Sequence, residues 1–206
     1  MVLGITVRSN LDYYFVKKRY FEYFKDFDIV LIYPYNITHV CALCDGFVVV
    51  GGDDANPALY KEENFASLNI VDEIDELDLN VIDYAVKNNK PLFGICRGLQ
   101  MINIYFEGSL KQNILNHKEG SHKIILVEQF LDFPLLEIVN TFHHQSVKLL
   151  GKNLKPLYYS LDCEVECLIH KTYTIIAVQF HPERDELCDF YSMLLMYFKN
   201  LFSIYK

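Results

Sequence analysis

Apolar positions along this chain follow two rhythms. Short runs with almost no polar interruption predict strands at Leu3–Val7, Asp28–Tyr33, Phe47–Val50 and Pro91–Ile95. Runs that do not alternate belong to strands buried on both faces, as in a parallel sheet. Between them, apolar residues recur at three- and four-residue steps. Tyr13, Val16, Tyr20 and Phe24 predict a helix capped by Asn10 or Asp12, and Val81, Ala85 and Val86 predict one from Asp72 to about Asn88. Leu99, Ile102, Asn103 and Phe106 predict a third, with Gly108 as its stop. Strands alternating with helices imply a doubly wound α/β layer with a mostly parallel sheet and flanking helices.

The second half reads differently. Lys123–Val127 predicts a strand, Phe133–Val139 a short helix or turn, and Cys163–Ile169 with Tyr173–Gln179 an antiparallel pair turning at Lys171-Thr172. A small antiparallel sheet is therefore expected beside the main one. A terminal amphipathic helix is expected from about Glu186 to Phe202. With no repeat, low-complexity segment or linker, residues 1–206 are expected to form one domain.

Composition narrows the function classes. Acidic side chains outnumber basic ones, 27 to 19, which argues against nucleic acid or an anionic membrane as partner. No apolar run approaches the roughly 18–20 residues of a membrane span. The opening MVLGITVRSN reads as a strand rather than an export signal, so a cytoplasmic location is expected. Cys41 and Cys44 form a CxxC with no second pair at zinc-binding spacing, and Cys163 and Cys167 are likewise unmatched. With Cys188 they are expected to be reduced and inert.

One cysteine stands apart. Cys96 lies between Gly94 and Gly98, where the Pro91–Ile95 strand turns at once into a helix. Such an elbow lifts a nucleophile to the sheet's carboxyl edge and aims a helix N-terminus at it, which favours thiolate. A base is available at Phe180-His181-Pro182-Glu183. His181 and Glu183 share a face in extended backbone, so the carboxylate can fix the imidazole while its other nitrogen meets the thiol. Oxyanion donors are expected from the amides of Arg97 and of the Gly51-Gly52 turn that ends the third strand. Asp72–Asp78 is an acidic run that reads as a solvated first helical turn. Asn140–Val147 is polar and histidine-dense, either a solvated strand end or part of a site.

The series GGDD (Gly51–Asp54), DELD (Asp75–Asp78), GICRGLQ (Gly94–Gln100), GSL (Gly108–Leu110), HHQ (His143–Gln145) and QFHPE (Gln179–Glu183) resembles the γ-glutamyl hydrolase branch of the class I glutamine amidotransferases. The nearest resemblance is to γ-glutamyl-γ-aminobutyrate hydrolases. It implies a flavodoxin-like fold and a Cys96–His181–Glu183 triad that cleaves a small γ-glutamyl amide through a thioester. It further implies an oxyanion hole from the Gly52 and Arg97 amides, recognition of the glutamyl head by Gln100, His144, Gln145 and Ser146, and no metal or organic cofactor. A glutaminase that feeds ammonia to a synthetase, and a non-catalytic binding protein on the same fold, are the alternatives. The leaving amine and the oligomeric state, a homo-oligomer included, stay open. The amine side is expected to be shaped by the N-terminal helix, Asp53–Asn64 and Gln129–Asn140, where the resemblance is weakest.

Overall fold

The computed structural model describes residues 1–185 and 189–202. Its centre is a nine-stranded mixed sheet in the order Asp28–Ile32, Val2–Thr6, Gly46–Val49, Leu92–Ile95, Ile175–Val178, Val165–His170, Leu154–Ser160, Ser121–Leu126, Leu136–Asn140. Pairing is parallel from the first of these through Ile175–Val178 and antiparallel beyond it. Two small antiparallel pairs stand apart from this sheet, Ser109–Lys111 with Ser146–Leu149 and Arg8–Ser9 with Tyr14–Phe15. The doubly wound architecture expected from the alternating pattern, and the flavodoxin-like fold implied by the family resemblance, are present.

Burial explains the non-alternating runs. Every residue of Gly46–Val49, Leu92–Ile95 and Ile175–Val178 is buried, because both faces of these strands are covered. One face supplies Phe93 and Val48 to a core with Phe24, Phe198 and Tyr158, beneath the terminal helix Asp189–Leu201. The other supplies Phe47, Val49 and Leu92 to a core with Leu77, Val81, Leu99 and Ile102, beneath the helices Asp72–Lys87 and Arg97–Tyr105. All five parallel strands end at the edge that carries Gly51, Cys96 and His181. Open α/β sheets bind ligands at that edge.

Three elements differ from the sequence reading. The N-terminal helix is confined to Lys18–Tyr23, and Arg8–Ser9 pairs with Tyr14–Phe15 in place of a first turn. Asn10 Oδ1 accepts from the amides of both Asp12 and Tyr13, so Asn10 folds a turn instead of capping a helix. Leu136–Asn140 is a strand, paired with Ser121–Ile125, and its β-branched Ile138 and Val139 suit that role. Leu154–Ser160 is an unforeseen strand inside the sheet. Pro156 hid it, and the pairing with Val165–His170 shifts register between Pro156 and Tyr158, where a proline is tolerated. The terminal helix is described from Asp189, so its predicted start at Glu186 and the thiol of Cys188 lie outside the described residues. Among the described residues no helix is long and apolar enough to cross a membrane.

Candidate active site

Cys96 sits where the Leu92–Ile95 strand stops and the Arg97–Tyr105 helix starts, and its backbone is held at φ 53°, ψ −104°. A non-glycine residue occupies that left-handed region only under strain, and strand and helix on either side impose it. The amide of Cys96 continues the sheet, donating to Val178 O at 2.8 Å, while its carbonyl already accepts from Leu99. The side chain is thereby projected at the sheet edge, at a helix N-terminus.

His181 follows the Ile175–Val178 strand and meets it there. Its Nδ1 lies 2.7 Å from Glu183 Oε1, and the imidazole interacts with the thiol of Cys96. The backbone of His181 is bracketed by one side chain, since Asn140 Oδ1 accepts from its amide at 2.8 Å and Asn140 Nδ2 donates to its carbonyl at 2.7 Å. Burial alone pushes the thiol of Cys96 up, but the charge and hydrogen bond of His181, with help from His143, outweigh it and hold the thiol below its usual range. Burial likewise pulls His181 down, and the Cys96 thiolate together with Glu183 overcomes it, lifting the imidazole to about 9. The two shifts share one cause, the pairing of the Cys96 thiol with the His181 imidazole at a buried point.

The turn opposite Cys96 supplies the amides. Gly51 N is already taken, since Tyr20 Oη accepts from it at 2.9 Å. Gly52 comes next and borders the cavities on both sides of Cys96. Arg97 occupies the first helical position, whose N–H has no partner within the helix. These are the two amides expected to form an oxyanion hole.

A buried chain of charges fixes both segments. Arg8 donates through Nε to Gly51 O at 3.0 Å, through one terminal nitrogen to Val50 O, and to Asp78 at 3.0 and 3.1 Å. Asp78 also pairs with Arg97, which pairs in turn with Asp75. The acidic run is thus not a solvated turn. Asp75 and Asp78 are 2% and 0% exposed and point inward, and only Asp72, Glu73 and Glu76 face water. Desolvation costs drive the pairing, because charges this deep persist only with partners.

Two cavities meet at Cys96. One, of about 200 Å³, is lined by Gln100, His144, Gln145, Asp54 and Asn69 among others. The other, of about 210 Å³, is lined by Phe15, Lys17, Tyr20, Phe142, His181 and Arg184 among others. Of the residues expected at the glutamyl head, Gln100, His144 and Gln145 line the first cavity. Ser146 does not: it lies at the start of a strand, fully buried, and its hydroxyl donates to Glu164. Gln100 Nε2 is shared between Gln145 O and Gln179 Oε1, each at 3.3 Å, and Gln179 Nε2 approaches Cys96 Sγ at 3.6 Å. On the amine side the N-terminal segment and Asp53 contribute as expected. The Gln129–Asn140 segment gives way to Phe142 and Arg184, whose guanidinium stands 4.1 Å over the Phe142 ring. Arg8, Tyr20, Asn140 and Gln179 were not singled out for a role at the site, although Asn140 opens the polar stretch already noted and Gln179 lies within the quoted QFHPE.

The remaining cysteines fit the expectation of inert filler where they are buried. Burial first of all pushes the thiols of Cys41 and Cys44 up, to about 12 and about 11, and that of Cys167 higher still. Cys163 is exposed.

Comparison with known proteins places the chain in a family. The chain is 35% identical over 190 residues to the glutamine amidotransferase-like protein YvdE of Lactococcus lactis subsp. lactis, covering 82% of this chain and 80% of that protein. It is 28% identical to the γ-glutamyl-CDP-amidate hydrolase of Campylobacter jejuni, covering 80% of this chain and 75% of that one. It is 33% identical to a glutamine-hydrolysing GMP synthase subunit of Methanococcus aeolicus, over 50% of this chain and 56% of that one. A crystal structure described as a GMP synthase subunit from Thermoplasma acidophilum superposes with a TM-score of 0.75 at 22% identity, covering 100% of this chain and 96% of that one, which establishes likeness of fold. The Peptidase C26 family model matches residues 5–183, from the first strand through Glu183. The chain belongs to the Peptidase C26 family of the class I glutamine amidotransferase superfamily, and is a glutamine-amidotransferase-like hydrolase by that membership.

Proposed function

We propose that this chain hydrolyses the γ-carboxamide of glutamine through Cys96 and passes ammonia to a synthetase partner. The thiolate of Cys96 attacks the γ-carbonyl, and the amides of Gly52 and Arg97 hold the oxyanion. His181, protonated and oriented by Glu183, gives its proton to the departing nitrogen, leaving a γ-glutamyl thioester. His181, now neutral, takes a proton from water, and the resulting hydroxide opens the thioester to glutamate and free thiolate. Gln100, His144 and Gln145 hold the glutamyl head. The observation that carries the chemistry is the buried Cys96–His181–Glu183 arrangement, with Glu183 Oε1 2.7 Å from His181 Nδ1 and the imidazole interacting with the thiol. The similarity to a synthase's glutamine-hydrolysing component favours glutamine as substrate.

A second reading, hydrolysis of a larger γ-glutamyl amide without a partner, is favoured by the other cavity. A space of about 210 Å³ on the leaving-group side exceeds what ammonia needs, and the similarity to a γ-glutamyl-CDP-amidate hydrolase points the same way. Under the first reading that opening is where a synthetase collects ammonia. Glutamate release from glutamine and from a panel of γ-glutamyl amines separates the two. Slow turnover of glutamine alone, with poorer turnover of every substituted amide, supports the glutaminase. A substituted amide preferred over glutamine by tenfold or more in kcat/KM overturns it in favour of the second. No glutamate from any substrate overturns both.

A further inference from the structure

Beside the glutamyl-head cavity, four side chains from separate segments converge on one point. His117 comes from the loop after Lys111, His122 from the strand Ser121–Leu126, His143 from the segment after Asn140, and Glu166 from the strand Val165–His170. His117 Nδ1 lies 3.3 Å from His143 Nε2 and 3.6 Å from Glu166 Oε1. Glu166 Oε1 lies 3.2 Å from His122 Nε2 and 3.6 Å from His143 Nε2. His117, His122 and Glu166 can each offer a ligand atom within 4.8 Å of the others.

Tautomers sharpen the picture. The far nitrogen of His117, Nε2, is 3.0 Å from Asp162 Oδ2, and that of His143, Nδ1, is 3.0 Å from Gln145 O. Both acceptors require a proton on those nitrogens, so in neutral imidazoles the lone pairs are on the two that face each other. Glu166 is fully buried, and neither of its oxygens, nor His122 Nε2, makes a hydrogen bond of acceptable geometry. Lone pairs aimed at a common point repel unless something positive lies between them, and a buried carboxylate that three imidazoles approach at 3.2–3.6 Å without a well-formed hydrogen bond is costly.

We infer that His117 Nδ1, His122 Nε2, His143 Nε2 and a Glu166 oxygen form a site for a divalent transition metal, best suited to zinc. Zinc bonds of about 2.0–2.1 Å at a tetrahedral angle set neighbouring ligand atoms about 3.4 Å apart. Four of the six separations, 3.2 to 3.6 Å, fall on that edge length; His117, His122 and Glu166 form the mutually close set, and His143, whose ring centroid is 6.5 Å from that of His122, has to draw in as the fourth ligand. Three imidazoles and one carboxylate suit a borderline ion, and the all-oxygen preference of calcium or magnesium excludes them. Asp162 and the Gln145 carbonyl orient imidazoles from behind, as outer partners of metal-bound histidines do. Four protein ligands close the coordination sphere, so the ion is structural rather than a source of activated water. It ties together the loops that carry His143 and Gln145, and through them one wall of the cavity beside Cys96. This departs from the expectation, implied by the family resemblance, that the chain holds no metal. It does not depend on the identity of the substrate.

The test uses the full chain, stripped with EDTA and titrated with Zn²⁺ against a chromophoric chelator, and with Co²⁺ as a spectroscopic probe. One ion per chain is expected, with tetrahedral cobalt absorption and no thiolate-to-cobalt charge-transfer band, unchanged in Cys96→Ala. His122→Ala and Glu166→Gln should lose stoichiometric binding, and Asp162→Ala should weaken it by roughly 10–100-fold. Zn²⁺ should raise the Tm of the wild type and leave that of the His122→Ala chain unmoved. If Glu166→Gln does not fold, His122→Ala, altered at a partly exposed side chain, still decides. Binding of less than one ion per chain, a thiolate band lost in Cys96→Ala, or undiminished binding in His122→Ala overturns the site.

Discussion

The small residues around Cys96 can be tested with one methyl group. A Cβ built on Gly98 comes within 2.1 Å of the carbonyl oxygen of Val49 and 2.9 Å of its carbon, both backbone atoms of the neighbouring buried strand. Ordinary contact starts near 3.4 Å, so helix and strand must part by about 1.3 Å, the difference from 2.1 Å. In an exposed helix Gly→Ala gains about 1 kcal/mol. Here an obstacle of rigid backbone takes the overpacking cost to the top of its usual range, about 3 kcal/mol. The balance is a loss of about 2 kcal/mol, which for a domain of this size lowers Tm by about 4–8 °C. The displaced segment carries the Arg97 amide, so kcat should fall further, by about 100-fold for a shift near 1 Å. Thermal unfolding and steady-state glutamate release measure the two effects. A Gly98→Ala protein with wild-type Tm and wild-type kcat would refute the close approach on which the elbow depends.

Other consequences follow from the same geometry. Brief iodoacetamide treatment should label Cys96 first, because the buried thiols of Cys41, Cys44 and Cys167 are pushed up; faster labelling of Cys41 or Cys44 counts against the assignment. Activity should show an alkaline limb near the raised value of His181, about 9, and Glu183→Gln should move that limb down; an unmoved limb contradicts the orienting role of Glu183. The stabilisation tied to the raised His181 value is fully present below 6.5, its ordinary value, and is lost as pH climbs through about 9, which urea unfolding across that window would register. Asp78→Asn leaves Arg8 and Arg97 buried without their shared carboxylate, and should cost about 3–5 kcal/mol and reduce kcat; an unchanged unfolding midpoint contradicts the clamp.

How much of this was legible in the sequence depended on how local the cause was. The parallel strands were, because continuous burial writes itself as a continuous apolar run. The elbow was as well, since a strand, a nucleophile and a helix lie within a few residues of one another. His181 and Glu183 are two apart, which put their contact within reach of a local reading, but a turn in which the amide of Arg184 donates to His181 O, rather than the expected extended backbone, brings them together. The antiparallel half was less legible. Leu154–Ser160 carries Pro156 and Leu136–Asn140 exposes Leu136 and Ile138, so neither shows the alternation that marks a half-buried strand. Asn10 illustrates a local ambiguity: the same side chain can cap a helix or close a turn, and the hairpin partner at Tyr14–Phe15 decides.

The charged residues of the site could not be read locally. Asp75 and Asp78 lie in a helix whose first turn is acidic, where the dipole favours carboxylates in any case. Nothing in that run distinguishes Asp75 and Asp78 from Glu73 and Glu76 until the helix is docked with Arg8 and Arg97 beneath it. The partners are 70 and 19 residues from Asp78 along the chain. Once docked, the arrangement explains why an arginine follows the nucleophile. An oxyanion hole needs two amides held at a fixed separation, and under the proposed function they belong to a turn after one strand and a helix after the next. Backbone pairing ends at Val49 and Val178, just short of both. Arg8 grips the carbonyls of Val50 and Gly51, Arg97 belongs to the helix, and Asp78 binds both guanidinium groups. A carboxylate between two cations thus continues the sheet's rigidity past its hydrogen-bonded edge, to the point where the reacting oxygen must sit. An apolar replacement of equal volume could fill the same space, but it could not hold two backbone carbonyls in place.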